Sequence, residues 1–372
     1  MKKIAIITLH RVRNYGSVLQ TYATQKVLSD LNTDPVIIDY YRKDQKKEDL
    51  LDNTINISGV FNRNFLTRII GKIVLKKTID NQLRVYSSFL DNNIKLTDKK
   101  YYSFNELEEN PPVADIYLTG SDQVWNSTWN KGIDKAYFLE FVPKGKRRVA
   151  YAASIGKEKL DEEEKEITKE MLEKYEFIGV RESSAKEIIN DLGIKKNVEH
   201  VLDPTLLLNK KEWEKFEVDI PEKGKDYILV YQLNSRNKEF DRYVKNLSKN
   251  KKIKVIRVSN QGYQKIKYGK FKNCPTVEEF ISYFINAKYI VTDSFHATAF
   301  AINFNKQFVD IFPPKFSKRL QSILDLTGLQ DRKIEDFNNF DIIEKKIDYT
   351  KVNKIMEDER KKSIEFLKKE IS

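Results

Sequence analysis

The stretch VTDSFHATAFAINFNKQFV holds His296, one of only three histidines in the chain, where an imidazole could do acid–base work. Tyr289-Ile290-Val291-Thr292 is a β-branched and aromatic run that predicts a buried strand, and the apolar run from Ala297 to Phe304 predicts a helix. Asp293 and Ser294 between them are good N-cap residues, so His296 falls in the first helical turn. Unpaired backbone N–H groups and the helix dipole favour an anion there. The carboxyl end of a strand is also where α/β sheets open onto ligands. An ordinary helix start with an incidental histidine would carry the same residues.

Three other stretches combine chemistry-bearing residues at strand ends. In TGSDQVWN, Gly120, Ser121, Asp122, Gln123, Trp125 and Asn126 share one loop. That density of donors and acceptors beside an indole suits a sugar, whose hydroxyls are hydrogen-bonded and whose ring face is stacked. NYGSVLQTYA places Asn14, Tyr15, Gly16 and Ser17 between a first strand and its helix, where a glycine lets backbone N–H groups approach a ligand. In GVRESS, Arg181 could hold a phosphate or carboxylate through its planar fork, with Glu182 beside it as a neutralising partner. Plain turns and helix caps remain the structural alternative for each.

Other chemistries are excluded or disfavoured. The G-x-G-x-x-G dinucleotide spacing is absent, and no G-K-[ST] follows Gly16 to make a P-loop. Cys274 is the only cysteine, which rules out an internal disulfide and a cysteine-based zinc site and fits a reducing cytoplasm. The formal charge of +12, from 67 Lys and Arg against 55 Asp and Glu, predicts attraction to anions. Lysines are spread along the chain without a recognisable motif, so nucleic acid is not an expected partner. No apolar run reaches the length of a membrane span, and MKKIAIITLH reads as a first strand in place of a signal sequence.

The elements that must position these residues alternate: KIAIIT, SVLQTYATQKVLSDL and PVIIDYY, then DIYLTG, RVAYAAS, FIGVRE and VEHVLDP, then YILVYQL, IKVIRVS, YIVTD and FVDIF. Such alternation predicts an α/β fold with parallel sheets flanked by helices. Residues 43–100 read as a basic helical insertion, in which FLTRIIGKIVLKK mixes apolar clusters with Arg68, Lys72 and Lys76. A core helix is its expected role, with a membrane- or acceptor-docking helix as the alternative. Pro221 and Gly224 place a domain break between Asn209 and Asp226. The expected division is 1–215, 216–350 and a terminal helix in 351–372 able to pack back on the first domain.

Taken in order, NYGSVLQTYA, GSDQVWN, YAASIG, VRESSAKEI, VLDPTLLL and TDSFHATAFAINFNKQFV resemble the polysaccharide pyruvyl transferase family from about residue 1 to residue 332. The resemblance implies two Rossmann-like domains facing a cleft, as in glycosyltransferase-B enzymes. It also implies transfer of pyruvate from phosphoenolpyruvate to sugar hydroxyls, leaving a ketal. His296 and Arg181 become the catalytic candidates, with Ser294, Phe295, Arg319 and Lys315 on the donor side. Asn14 to Ser17 and the Gly120–Asn126 loop would face a glycan or lipid-linked oligosaccharide. Some members carry Arg-Leu-His where this chain has Ser294-Phe295-His296, so an arginine is missing at position 294, and Arg319 or Lys315 is expected to replace its charge. No cofactor is implied beyond the donor itself and no metal, because side-chain cations are already provided, and the expected location is the cytoplasm, with peripheral contact at the inner membrane face. A sugar-nucleotide glycosyltransferase of the same architecture, or a non-catalytic glycan- or nucleic-acid-binding protein, is the alternative.

Overall fold

Short apolar runs bounded by caps alternate through the chain, and in the computed structural model they form two parallel sheets. The structure describes residues 1–42, 45, 47–56, 58–234, 237–314 and 317–372. The first part runs β1 (Lys3–Ile7), α1 (Tyr15–Asp30), β2 (Asp34–Tyr40), α2 (Lys47–Asn56), α3 (Phe65–Asn93), β3 (Leu96–Tyr101), α4 (Phe104–Glu109), β4 (Ile116–Thr119) and α5 (Ser127–Asn130). It continues through β5 (Arg147–Ala153), α6 (Glu162–Leu172), β6 (Phe177–Val180), α7 (Ser183–Asp191), β7 (Val198–His200), α8 (Pro204–Leu207) and α9 (Lys210–Glu214). The second part runs β8 (Tyr227–Tyr231), α10 (Lys238–Lys251), β9 (Lys254–Ser259), β10 (Lys270–Asn273), α11 (Val277–Asn286), β11 (Tyr289–Thr292), α12 (Phe295–Asn303), β12 (Gln307–Asp310), α13 (Lys318–Thr327) and α14 (Tyr349–Ile371).

Strand order is β3-β2-β1-β4-β5-β6-β7 in the first sheet and β10-β9-β8-β11-β12 in the second. In each, the chain winds outward from a central strand and then returns to its other side, so the order reverses between β1 and β4 and again between β8 and β11. The crevice beyond such a reversal is the usual ligand position in open parallel sheets. This is the architecture of two Rossmann-like domains, and it confirms the α/β, glycosyltransferase-B-like expectation.

Residues 43–100 are not purely helical. Leu96–Tyr101 pairs with β2 as an edge strand, and its polar sequence LTDKKY lacks the apolar signature because one side has no neighbouring strand. Strand β10, KFKN, is missed by sequence reading for the same reason. The long helix α3 is also split in character. Ile79, Val85, Tyr86, Phe89 and Leu90 are buried, whereas Phe65, Leu66, Ile73 and Val74 are exposed. One apolar core reaches across both sheets: Tyr15 of α1 stacks on Phe280 of α11 at 4.1 Å between ring centroids and donates its hydroxyl to the Pro275 carbonyl. Helix α14 bonds back to the first sheet's side, where Ser363 accepts from Leu202 N–H and Arg360 donates to the Leu206 carbonyl.

Candidate active site

The two strand-order reversals face one another across a cavity of about 690 Å³. The first sheet contributes Asn14 and Ser17 after β1, and Asp122 and Gln123 after β4. The second contributes Leu233 and Asn234 after β8, and Asp293, Ser294, Phe295 and His296 after β11. Asn14 caps α1 by accepting from Gly16 N–H, and Ser294 caps α12 by accepting from Ala297 N–H. Both helices therefore begin at the cavity with their positive dipole ends. Arg319, in the first turn of α13, lines the same space.

His296 is set by close packing. An added Cβ on Gly16 would lie 2.1 Å from its Nδ1, so only a glycine lets α1 approach the imidazole this closely. Its Nε2 is 3.7 Å from Asp203 Oδ2 and has no hydrogen-bond partner among the described residues. Burial pulls the imidazole below its ordinary pKa, while the nearby Asp203 and Asp122 carboxylates pull the other way. The other histidines do not reach the cavity. His10 is fully buried, with Nδ1 on the Thr8 carbonyl and Nε2 3.2 Å from Asp39, and His200 Nε2 meets the Arg181 carbonyl at 3.0 Å.

Behind His296 lies a buried charge cluster. Arg181 is 3.0 Å from Asp203, 3.5 Å from Asp122 and 3.8 Å from Glu182, and its guanidinium lies over the Phe295 ring at 4.7 Å. The structure corrects the expectation that Arg181 clamps an anion: its side chain is only 1% exposed and it does not line the cavity. Its charge is used on three carboxylates. Asp203, in the VLDPT motif, is a site residue that the sequence pattern does not single out. It accepts from Ser121 Oγ, Arg181 and both donors of Thr205, which orders it beside His296. Asp122 accepts from Ser17 Oγ at 2.6 Å, and the Arg181 and His296 charges help hold it at about 2 despite burial.

The other expected residues divide sharply. Trp125 is 3% exposed, stacks on Phe138 and donates its indole N–H to the Tyr137 carbonyl, so it is no stacking surface for a sugar. Trp129, one helical turn onward and 54% exposed, lines the cavity instead. Asn126 caps α5 and bonds Gln123, Ser121 faces Asp203, Gly120 packs on Thr8, and Tyr15 is buried in the seam between the sheets. Ser317 precedes α13 without a side-chain cap bond, and Lys315 lies outside the described residues. Arg319 is held among Arg181, Glu182, Asp122 and Asp203; burial and the Arg181 charge bring it down to about 10, so it remains cationic at neutral pH. Asp293 was read only as a helix cap, yet it lines the cavity and binds the Leu233 and Asn234 N–H groups. Burial raises it to about 6.

A family model for polysaccharide pyruvyl transferase matches residues 14–312, a span that contains every cavity residue named from both sheets except those after Phe312. The chain belongs to the polysaccharide pyruvyl transferase family. No curated protein matches it in sequence. Among solved structures it resembles a UDP-N-acetylglucosamine 2-epimerase at TM-score 0.52 and 12% identity, over 99% of this chain and 95% of that one. It also resembles S. aureus MnaA in its UDP co-structure at TM-score 0.50 and 13% identity, over 97% and 89% of the two chains. At such identities the likeness concerns the fold, and it places this family member on the same two-domain frame.

Proposed function

We propose that this family member transfers pyruvate from phosphoenolpyruvate to two hydroxyls of one sugar in a polysaccharide or its lipid-linked precursor. The observation that carries the reading is the wall where His296, whose buried Nε2 has no hydrogen-bond partner among the described residues, sits in the first turn of α12 beside the Arg319 cation. An anionic donor gains from the helix start and from Arg319 together. Trp129, Asn14 and Gln123 line the remaining space and suit a sugar, the ring by stacking and the amides by hydrogen bonding.

The chemistry balances with one proton-transferring group. A proton adds to the methylene carbon of the donor, and the adjacent carbon bonds the first sugar oxygen, whose hydroxyl proton is released. The second sugar oxygen then bonds the same carbon as its bond to the phosphate oxygen breaks, and one of the two released hydroxyl protons leaves on phosphate. His296 is unprotonated at neutral pH by virtue of its burial, and the charge of the bound donor raises its affinity for the proton that it passes on. Arg319 neutralises the carboxylate and the departing phosphate.

The test is a ligand screen by thermal melting. Phosphoenolpyruvate should raise Tm, whereas UDP-sugars and RNA should not. Stabilisation by UDP-sugars alone would select the glycosyltransferase reading, and stabilisation by RNA alone would select a binding protein. Phosphate release that depends on a diol-bearing glycan then establishes transfer.

A further inference from the structure

The first half of α3 is a surface with no role in the cavity or in the core. Phe65 is 76% exposed, Leu66 70%, Ile70 52% and Ile73 71%, and Ile69 and Val74 beside them are also exposed. At 3.6 residues per turn these positions fall on one half of the helix, opposite Gly71 and Ile79, which pack inward. Arg68, Lys72 and Lys76 follow at four-residue intervals along one border of that apolar half, and Lys77 stands within it. From Ser58 to Lys77 there are five Lys or Arg and no Asp or Glu. Among the described residues, the acidic group that faces the border is Asp52 of α2, 3.2 Å from Lys72 and 3.9 Å from Arg68. Lys76 and Lys77 remain exposed beyond it.

From these observations we infer that the Phe65–Lys77 face of α3 docks on an anionic lipid bilayer surface. The charge pattern selects this occupant. A second copy of a chain with a formal charge of +12 would bring like charges together along the cationic border, whereas acidic headgroups neutralise them while the apolar half enters the headgroup boundary. The same helix reaches the cavity rim: Gln82 donates to the Asn260 carbonyl and accepts from Arg13, and Asn260 is the neighbour of cavity-lining Gln261. Gln82 is nine positions on from Ile73, about 14 Å along a helix. Docking would therefore hold the cavity close to the membrane surface. The inference does not depend on the chemistry of transfer.

The full chain should sediment with phosphatidylcholine vesicles containing 30% phosphatidylglycerol at 0.1 M salt, and only weakly with pure phosphatidylcholine. Replacing the exposed residues (Phe65→Ser, Leu66→Ser, Ile70→Ser and Ile73→Ser together) should reduce that binding about tenfold or more without lowering Tm. Lys72→Gln with Lys76→Gln and Lys77→Gln should reduce it similarly and remove most of its salt dependence. Absence of binding to the anionic vesicles would overturn the inference. So would equal binding by both variants, or a dimer in analytical ultracentrifugation that the apolar replacements convert to monomer.

Discussion

The junction after β4 and the junction after β11 occupy equivalent places in their sheets, each at a strand-order reversal and each rich in polar residues, yet they do opposite things. After β4, most of the polar groups are used inward, Ser121 on Asp203, Asn126 on Gln123 and Trp129 N–H, Trp125 on the Tyr137 carbonyl, and only Asp122, Gln123 and Trp129 reach the cavity. After β11, His296 Nε2 stays without a hydrogen bond among the described residues. The two aspartates follow suit. Arg181 and His296 help hold Asp122 at about 2, whereas burial outweighs two backbone N–H bonds and the Lys267 charge and lifts Asp293 to about 6. Polar density at a strand end therefore does not measure capacity for a ligand. What matters is which groups the fold leaves unsatisfied.

The sharpest way to break the comparison is His296→Ala, which should lower kcat by about 10²–10⁴-fold with an unchanged melting curve. Gly16→Ala should reproduce part of that loss by displacing the imidazole, because its new methyl would meet the ring. Normal turnover in either variant would remove the imidazole from the mechanism. Next come the two arginines. Arg181→Ala strands three buried carboxyl groups and should cost roughly 3–5 kcal/mol of stability, read by urea denaturation. Arg319→Ala should leave the denaturation midpoint nearly unchanged and raise the donor KM about tenfold; the reverse pattern would exchange their roles.

The tryptophans separate the same way. Trp125→Ala removes a buried, stacked ring and should destabilise by about 3–5 kcal/mol. Trp129→Ala should change stability by less than about 0.5 kcal/mol and weaken acceptor use instead. Equal effects in both assays would mean that the division between the rings is wrong. The smallest effect concerns pH. A carboxyl raised from 3.8 to about 6 adds nothing unfavourable below its unfolded pKa, costs stability progressively as pH rises from there to about 6, and costs no more above it. Tm of Asp293→Asn relative to the parent should thus climb between about pH 4 and 6 and level off above, and a flat difference would show Asp293 to be untroubled by its charge.

His296 was legible because strand, cap and helix signals bracket it within a few residues, and local order is what sequence patterns report. The alternation likewise carried the α/β fold and most strands. Edge strands β3 and β10 escaped because exposure on one side removes the apolar run by which a strand is recognised. The exchange of Trp125 for Trp129 could not be read, since it depends on a backbone turn at Asp122, which has a positive φ of 76°, and on tertiary partners such as Phe138. Arg181 misled for a related reason. A residue type reveals that a charge is present, but only the assembled sheet edge brings Asp122 and Asp203 from distant segments to consume it.

The apolar seam that joins the two sheets bears on how the molecule works in time. Tyr15 on Phe280, Trp213 on Phe300 and the bonds of Arg360 to both the Leu206 carbonyl and Asn303 tie the halves together behind the cavity. Independent swinging of the halves would have to expose these rings to water, and large apolar interfaces of this kind suppress such motion. Such a seam predicts a cavity of constant width, without a clamping stroke. The radius of gyration in solution should accordingly be the same with and without donor, and selectivity among glycans would come from the fixed outline of the walls.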